Sequence, residues 1–154
     1  MTVKGKIKNI YALRLKPGMD VMNELQNYCD KNNIKNGYIA TGMGSLMGAR
    51  FFDPVELKDK KCGYGYSDPV ILEGPIELIS MSGMICHNED GEILLHVHCC
   101  LSDGNGNAYA GHFIEGNKVL MTVDLLIAEL EGINMGRAFD EDLEVFIFNP
   151  TQID

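Results

Sequence analysis

The chain has 154 residues, with 13 basic against 22 acidic side chains and a formal net charge of −9 when the histidines are neutral. Apolar residues make up 45% and charged residues 23%, a globular balance that excludes wholesale disorder and collagen-like repetition. The acidic excess repels a phosphate backbone rather than recruiting one. The length suits a single domain over residues 1–154.

The first eight residues carry positive charge with no apolar run behind it, so no signal peptide is expected. Residues 7–15 set Ile10 and Ala12 against Tyr11, Leu13 and Leu15, and read as a strand. Lys4, Lys6 and Lys8 would share one face of this segment, as a solvated edge guarded against aggregation. Lys16-Pro17-Gly18 is a turn. Residues 19–32 space Val21, Met22, Leu25, Tyr28 and Cys29 as one amphipathic helix, with Asp20 in its first turn and Asn32-Asn33 as its stop. Residues 38–53 are glycine-rich and apolar and predict two strands. Thr41-Gly42-Met43-Gly44-Ser45 looks like a phosphate loop, but β-like residues follow it where a helix N-terminus is needed. Residues 54–69 are polar, a solvated excursion around Lys58, Lys60 and Lys61 with a hairpin through Tyr64 and Tyr66.

Four more strands are predicted over residues 76–87, 94–101, 108–114 and 119–130, separated by clusters of Asn, Asp and Gly. Glu129 and Glu131 break the alternation of the last, so residues 125–130 read equally as a helical turn. Residues 145–148 add a short strand. Short links between strands favour antiparallel pairing. The fold class is therefore α+β: a curved or barrel-like antiparallel sheet and one main amphipathic helix, about residues 19–32. The longest nearly apolar stretch, residues 93–101, holds two histidines and falls short of the roughly 20 residues a membrane span needs. The five cysteines, Cys29, Cys62, Cys86, Cys99 and Cys100, include no C-x-x-C pair. They predict mostly core thiols in a reduced, cytoplasmic setting.

Three of the four histidines fall in one strand–turn–strand unit. Alternation places His96 and His98 on one face, with Leu95, Val97, Cys99 and Leu101 on the core side. A third imidazole, His112, would come from the next strand. Three neutral nitrogens and one open position are what a catalytic zinc requires. Register decides whether His112 joins. If His96 or His98 lies opposite it, the loop between them must hold an odd number of residues or a bulge. A two-residue turn on Asp103-Gly104 or on Asn105-Gly106 would rotate His112 to the wrong face. His87, beside Asn88-Glu89-Asp90-Gly91, is expected to be exposed. Chemistry at such a site also needs a proton carrier and a charge stabiliser. Glu115, Glu73, Glu77 and Arg14 are the candidates, with Glu115 three positions past His112. Asp124, between apolar neighbours, is expected to be buried or in a subunit contact.

Several segments together resemble the PPC domain, the plant-and-prokaryote conserved domain. They are residues 11–18 (Tyr-Ala-Leu-Arg-Leu-Lys-Pro-Gly), 41–46 (Thr-Gly-Met-Gly-Ser-Leu), 51–54 (Phe-Phe-Asp-Pro) and 73–83 (Glu-Gly-Pro-Ile-Glu-Leu-Ile-Ser-Met-Ser-Gly). The later ones are 96–98 (His-Val-His), 110–116 (Ala-Gly-His-Phe-Ile-Glu-Gly) and 129–132 (Glu-Leu-Glu-Gly). The resemblance covers about residues 6–145. It implies a compact α+β homotrimer, accompanied in plants by AT-hook DNA-binding motifs, with bacterial members named as candidate DNA-binding proteins. The fold it implies is similar to that of acetolactate decarboxylase, whose zinc is held by a His-x-His pair and a further His. His96, His98 and His112 match that pattern. The chain departs from the plant proteins in having no Arg-Gly-Arg-Pro core.

Three functions follow as expectations. The first is a homotrimer with a divalent metal, zinc by preference, on His96, His98 and His112, acting as a hydrolase or lyase on a small acidic metabolite or binding one. The second is a DNA-associated regulator, disfavoured by the −9 charge and the missing AT-hook. The third is a ligand-binding trimer without chemistry.

Overall fold

The computed structural model describes residues 2–153. Twelve strands and one helix are present among them. Strand β1 (Lys6–Leu15) precedes helix α1 (Val21–Asn32), and then β2 (Gly37–Phe52), β3 (Pro54–Glu56), β4 (Tyr64–Tyr66) and β5 (Val70–His87) follow. Strands β6 (Ile93–Asp103), β7 (Ala108–Phe113) and β8 (Val119–Glu131) complete the main sheet. Short strands β9 (Ile133–Asn134), β10 (Arg137–Asp140), β11 (Val145–Phe148) and β12 (Thr151–Gln152) end the chain.

The main sheet is antiparallel in the order β1-β8-β2-β5-β6-β7. It curls until β7 meets β2 again, with Phe51 opposite Phe113 and Phe52 opposite His112. The α+β reading with one helix holds. Alternation explains the layering: Val97, Cys99 and Leu101 of β6 point into a core shared with Leu25 and Cys29 of the helix. Phe113 is fully buried at the seam where the sheet closes, a site where truncation to alanine costs about 3–5 kcal/mol. Asn117, also fully buried, clasps that seam. Its Oδ1 accepts from Arg50 N at 2.8 Å, and its Nδ2 donates to Arg50 O at 2.9 Å and Ile114 O at 2.7 Å.

The structure corrects several expectations. One 16-residue strand, Gly37–Phe52, stands where two were expected over residues 38–53. Its glycines are close approaches to neighbouring strands rather than breaks. A Cβ at Gly42 would strike Met81, and one at Gly44 would strike the Thr122 carbonyl, so no phosphate loop forms there. Asp20 is the N-cap rather than a first-turn residue, accepting from Asn23 N at 3.1 Å. Residues 125–130 continue the strand. Lys8 sits at a register shift in edge strand β1, out of step with Lys6, and pairs with Glu129 at 2.6 Å. Asp124 is exposed and pairs with Arg14 at 3.0 Å. Cys29, Cys86 and Cys99 are core thiols, while Cys62 is half-buried and Cys100 exposed. No helix among the described residues is long and apolar enough to cross a membrane.

Candidate metal centre

The β6–β7 loop satisfies the parity that the histidines need. Asp103 N donates to Asn107 O at 3.1 Å, so three residues, Gly104, Asn105 and Gly106, make the turn. Gly106 takes φ +81°, the left-handed position that this three-residue hairpin demands. Asp103 fixes the loop by accepting from the backbone of Asn105 and Asn107, each at 2.9 Å, from Asn107 Nδ2 at 2.8 Å and from Tyr109 Oη at 3.2 Å. Ser102 then pairs with Ala108, and His98 with His112.

All three imidazoles therefore stand on the face of β6 and β7 away from the core. One ring nitrogen from each of His96, His98 and His112 lies within 4.8 Å of the others, near enough to share a metal ion. Ring centroids are 5.1 Å apart for His96–His98, 5.2 Å for His96–His112 and 5.3 Å for His98–His112. The Nε2 atoms of His96 and His98 are 3.1 Å apart, close to the roughly 3.3 Å edge of a tetrahedron with zinc–nitrogen bonds of about 2.0–2.1 Å. Burial, then the His98 ring and the Arg137 guanidinium, hold His96 below the ordinary imidazole range. Burial, then His96, His98 and Arg137, push His112 down to about 4. Both rings are neutral at pH 7, the state in which imidazole binds a metal.

Next to the rings lies a cavity of about 450 Å³. Its floor is His98, His112 and Phe52, and two hairpins wall it: β3–β4 with Tyr64 and Tyr66, and the β10–β11 segment with Leu143 and Val145. Tyr66 Oη is 3.5 Å from Nδ1 of His112, at the outer limit of a hydrogen bond, which leaves Nε2 of that ring free. The hairpin tips are tied together: Lys61 N donates to Glu144 at 2.9 Å, and Lys61 Nζ to Asp142 at 2.7 Å and the Glu141 carbonyl at 3.1 Å.

Glu115, Glu73 and Arg14 do not line this cavity. Glu115 is exposed after β7 and Glu73 is exposed on β5. Arg14 lines a different hollow of about 470 Å³ with Thr41, Met43, Asp124 and Leu126. Exposed Glu77 lies on β5 opposite Ser102. His87 is half-buried rather than exposed, with ring nitrogens 2.9 Å from Asn88 O and 2.7 Å from Asn134 Oδ1. The sequence reading missed Tyr66, Leu143, Val145 and Arg137 as neighbours of the histidines. Only Phe52 left a signal, as the out-facing partner of core residue Phe51.

The family comparison agrees with this architecture. The pattern of the Plants and Prokaryotes Conserved (PCC) domain matches residues 2–131. The chain belongs to this family. Proteins of known structure share the fold. A metal-containing protein from Archaeoglobus fulgidus is 23% identical with a TM-score of 0.80, matching 97% of this chain and 99% of its own. A plant- and prokaryote-conserved protein from Pyrococcus horikoshii is 25% identical with a TM-score of 0.78, over 96% of both chains. A Bacteroides thetaiotaomicron protein described as a candidate DNA-binding protein is 20% identical, with a TM-score of 0.76 over 96% of both chains. Among curated proteins, the bifunctional protein GlmU of a Synechococcus species is 28% identical over 120 residues, or 78% of this chain. The PCC chain spans only 17% of that protein's length.

Proposed function

We propose that this PCC-domain protein holds one divalent metal, zinc by preference, on His96, His98 and His112, and uses it on a small metabolite. The single observation that carries the reading is the convergence of three imidazole nitrogens within 4.8 Å. The donor set fits the ion: three imidazole nitrogens that converge, beside a cavity lined by two of the rings, His98 and His112. A metal so held polarises a carbonyl or activates water, which is hydrolase or lyase chemistry. The chain's own residues shape the site around it. Tyr66 faces Nδ1 of His112 and restrains that ring, as partners of ligating histidines do. The similar Archaeoglobus fulgidus protein is described as metal-containing, which supports the reading.

The same proposal includes a homotrimer in a reducing cytoplasm. Exposed Ile10, Met43 and Leu126 on the outer face of β1, β2 and β8, at 65%, 51% and 40% exposure, support a covered surface there. The unpaired thiols support the compartment. Burial pushes Cys29 and Cys99 up to about 12 and Cys86 to about 11, which makes them inert.

Metal analysis of protein purified without a histidine tag tests the centre. About one equivalent of zinc per chain is expected, and little in His98→Ala or His112→Ala. Circular dichroism should report an intact fold for His98→Ala, because that ring lies outside the core. Wild-type protein that takes up no stoichiometric metal would overturn the reading.

A further inference from the structure

We infer that the cavity beside the three histidines takes a small monocarboxylate with an aryl or branched apolar body, its carboxylate toward the histidines and its body between the two hairpins. This rests on the metal reading above and adds the class of ligand.

Charge decides the head group. Three neutral imidazoles leave the two positive charges of a divalent ion uncompensated. Of the residues around the cavity only Asp53 bears a carboxylate, and none is Lys or Arg. One anionic group is therefore wanted at the histidine end. A second has no partner. Arg137, whose guanidinium bears on the His96 and His112 rings, lies outside the lining and donates to the Phe146 carbonyl, and Lys61 pairs with Asp142. Dicarboxylates, phosphate esters and a nucleic-acid backbone all ask for cations that the walls do not supply.

The walls decide the body. Tyr64, Tyr66, Val145 and Leu143 are 61%, 51%, 49% and 44% exposed, so these apolar groups stand in water around the opening. The rings of Phe52 and Tyr66 lie 5.9 Å apart, and those of Tyr66 and His112 5.0 Å apart, forming an aromatic side that suits a planar or branched group. A ligand body seated there removes its own apolar surface and theirs from water. The volume of about 450 Å³ is in the lower part of the usual range for small-molecule sites, and limits the ligand to a small acid.

The test is calorimetric titration of the zinc-loaded full chain with phenylacetate, acetate and malonate, with zinc content measured on each sample. Phenylacetate should bind at least about tenfold tighter than acetate, through burial of the aryl group. Malonate should show no advantage over acetate. Leu143→Ser and Val145→Ser lie outside the histidine cluster. Each should keep its zinc and lose most of the preference for phenylacetate. Equal binding of acetate and phenylacetate by zinc-loaded protein, or a preference for malonate, would overturn the inference while the metal reading stands. A preference for phenylacetate unchanged in both serine variants would overturn the location. Failure to take up zinc would overturn both readings, and the metal assay reports that outcome separately.

Discussion

Glu129 shows how single side chains set the pH range of the molecule. Its side chain is 12% exposed and accepts from Lys8 Nζ at 2.6 Å, Asn9 Nδ2 at 2.8 Å and Tyr11 Oη at 2.9 Å. Desolvation works to raise this carboxyl, but the three hydrogen bonds and the Lys8 charge outweigh it and hold the group below its ordinary 4.5. The unfolded chain then binds the proton more readily than the native one. The stability Glu129 contributes is complete above the unfolded value and is lost as pH falls through the lower, folded value. Urea unfolding at a series of pH values from neutrality downward should show wild-type stability falling below about pH 4.5. Glu129→Gln should be less stable at neutral pH, and should show a shallower decline over that acid interval. Parallel curves for the two proteins would refute the assignment. The cluster was only half legible in the sequence. The lysines could be placed on a strand, but the register shift at Lys8 that brings it beside Asn9 on one carboxylate depends on pairing 120 residues away.

The β6–β7 hairpin is the element on which the convergence of His96, His98 and His112 depends. Strand side chains alternate with period two, so one residue more or fewer in the turn moves His112 to the other face. Deleting Asn105 leaves a two-residue loop and the wrong parity. The expected outcome is a protein that no longer binds zinc, or one that keeps the pairing of β6 and β7 only with a new bulge and a lower unfolding midpoint. Zinc uptake and thermal stability both equal to wild type would contradict the role given to this loop. Asp103→Ala should act in the same direction more weakly, since it removes the side-chain anchor but keeps the residue count.

This was the part of the site that sequence could reach. His96 and His98 share a face by parity, and the requirement for an odd loop or a bulge follows from that parity. What sequence could not show was closure. The glycines at 42 and 44 read as a strand bend or a close backbone contact, because a missing side chain looks the same whether the chain turns or a neighbour passes close. The cavity walls were hidden for a similar reason. Lys61 meets Asp142 across 81 positions, and neither segment has a periodicity that announces the contact.

Net charge acts at the scale of the whole molecule. One chain carries −9, and three copies would carry about −27. Such a field opposes a polyanion unless a local basic patch overrides it. In a mobility-shift titration near physiological salt, duplex DNA should show no tight complex. A tight complex that weakens steeply with added salt would instead favour the DNA-associated role. Native mass measurement on the same preparation should give three times the 17.1 kDa chain.

The way the sheet ends on itself also restricts how copies can meet. Because β7 turns back onto β2, the long rim still open to hydrogen bonding is that of β1, and there Lys6 and Lys8 stand over Glu131 and Glu129. Charged side chains and a bulge make a poor template for another chain's backbone. Copies that meet along this rim must therefore press side-chain surfaces together, and would separate there without breaking a continuous ladder.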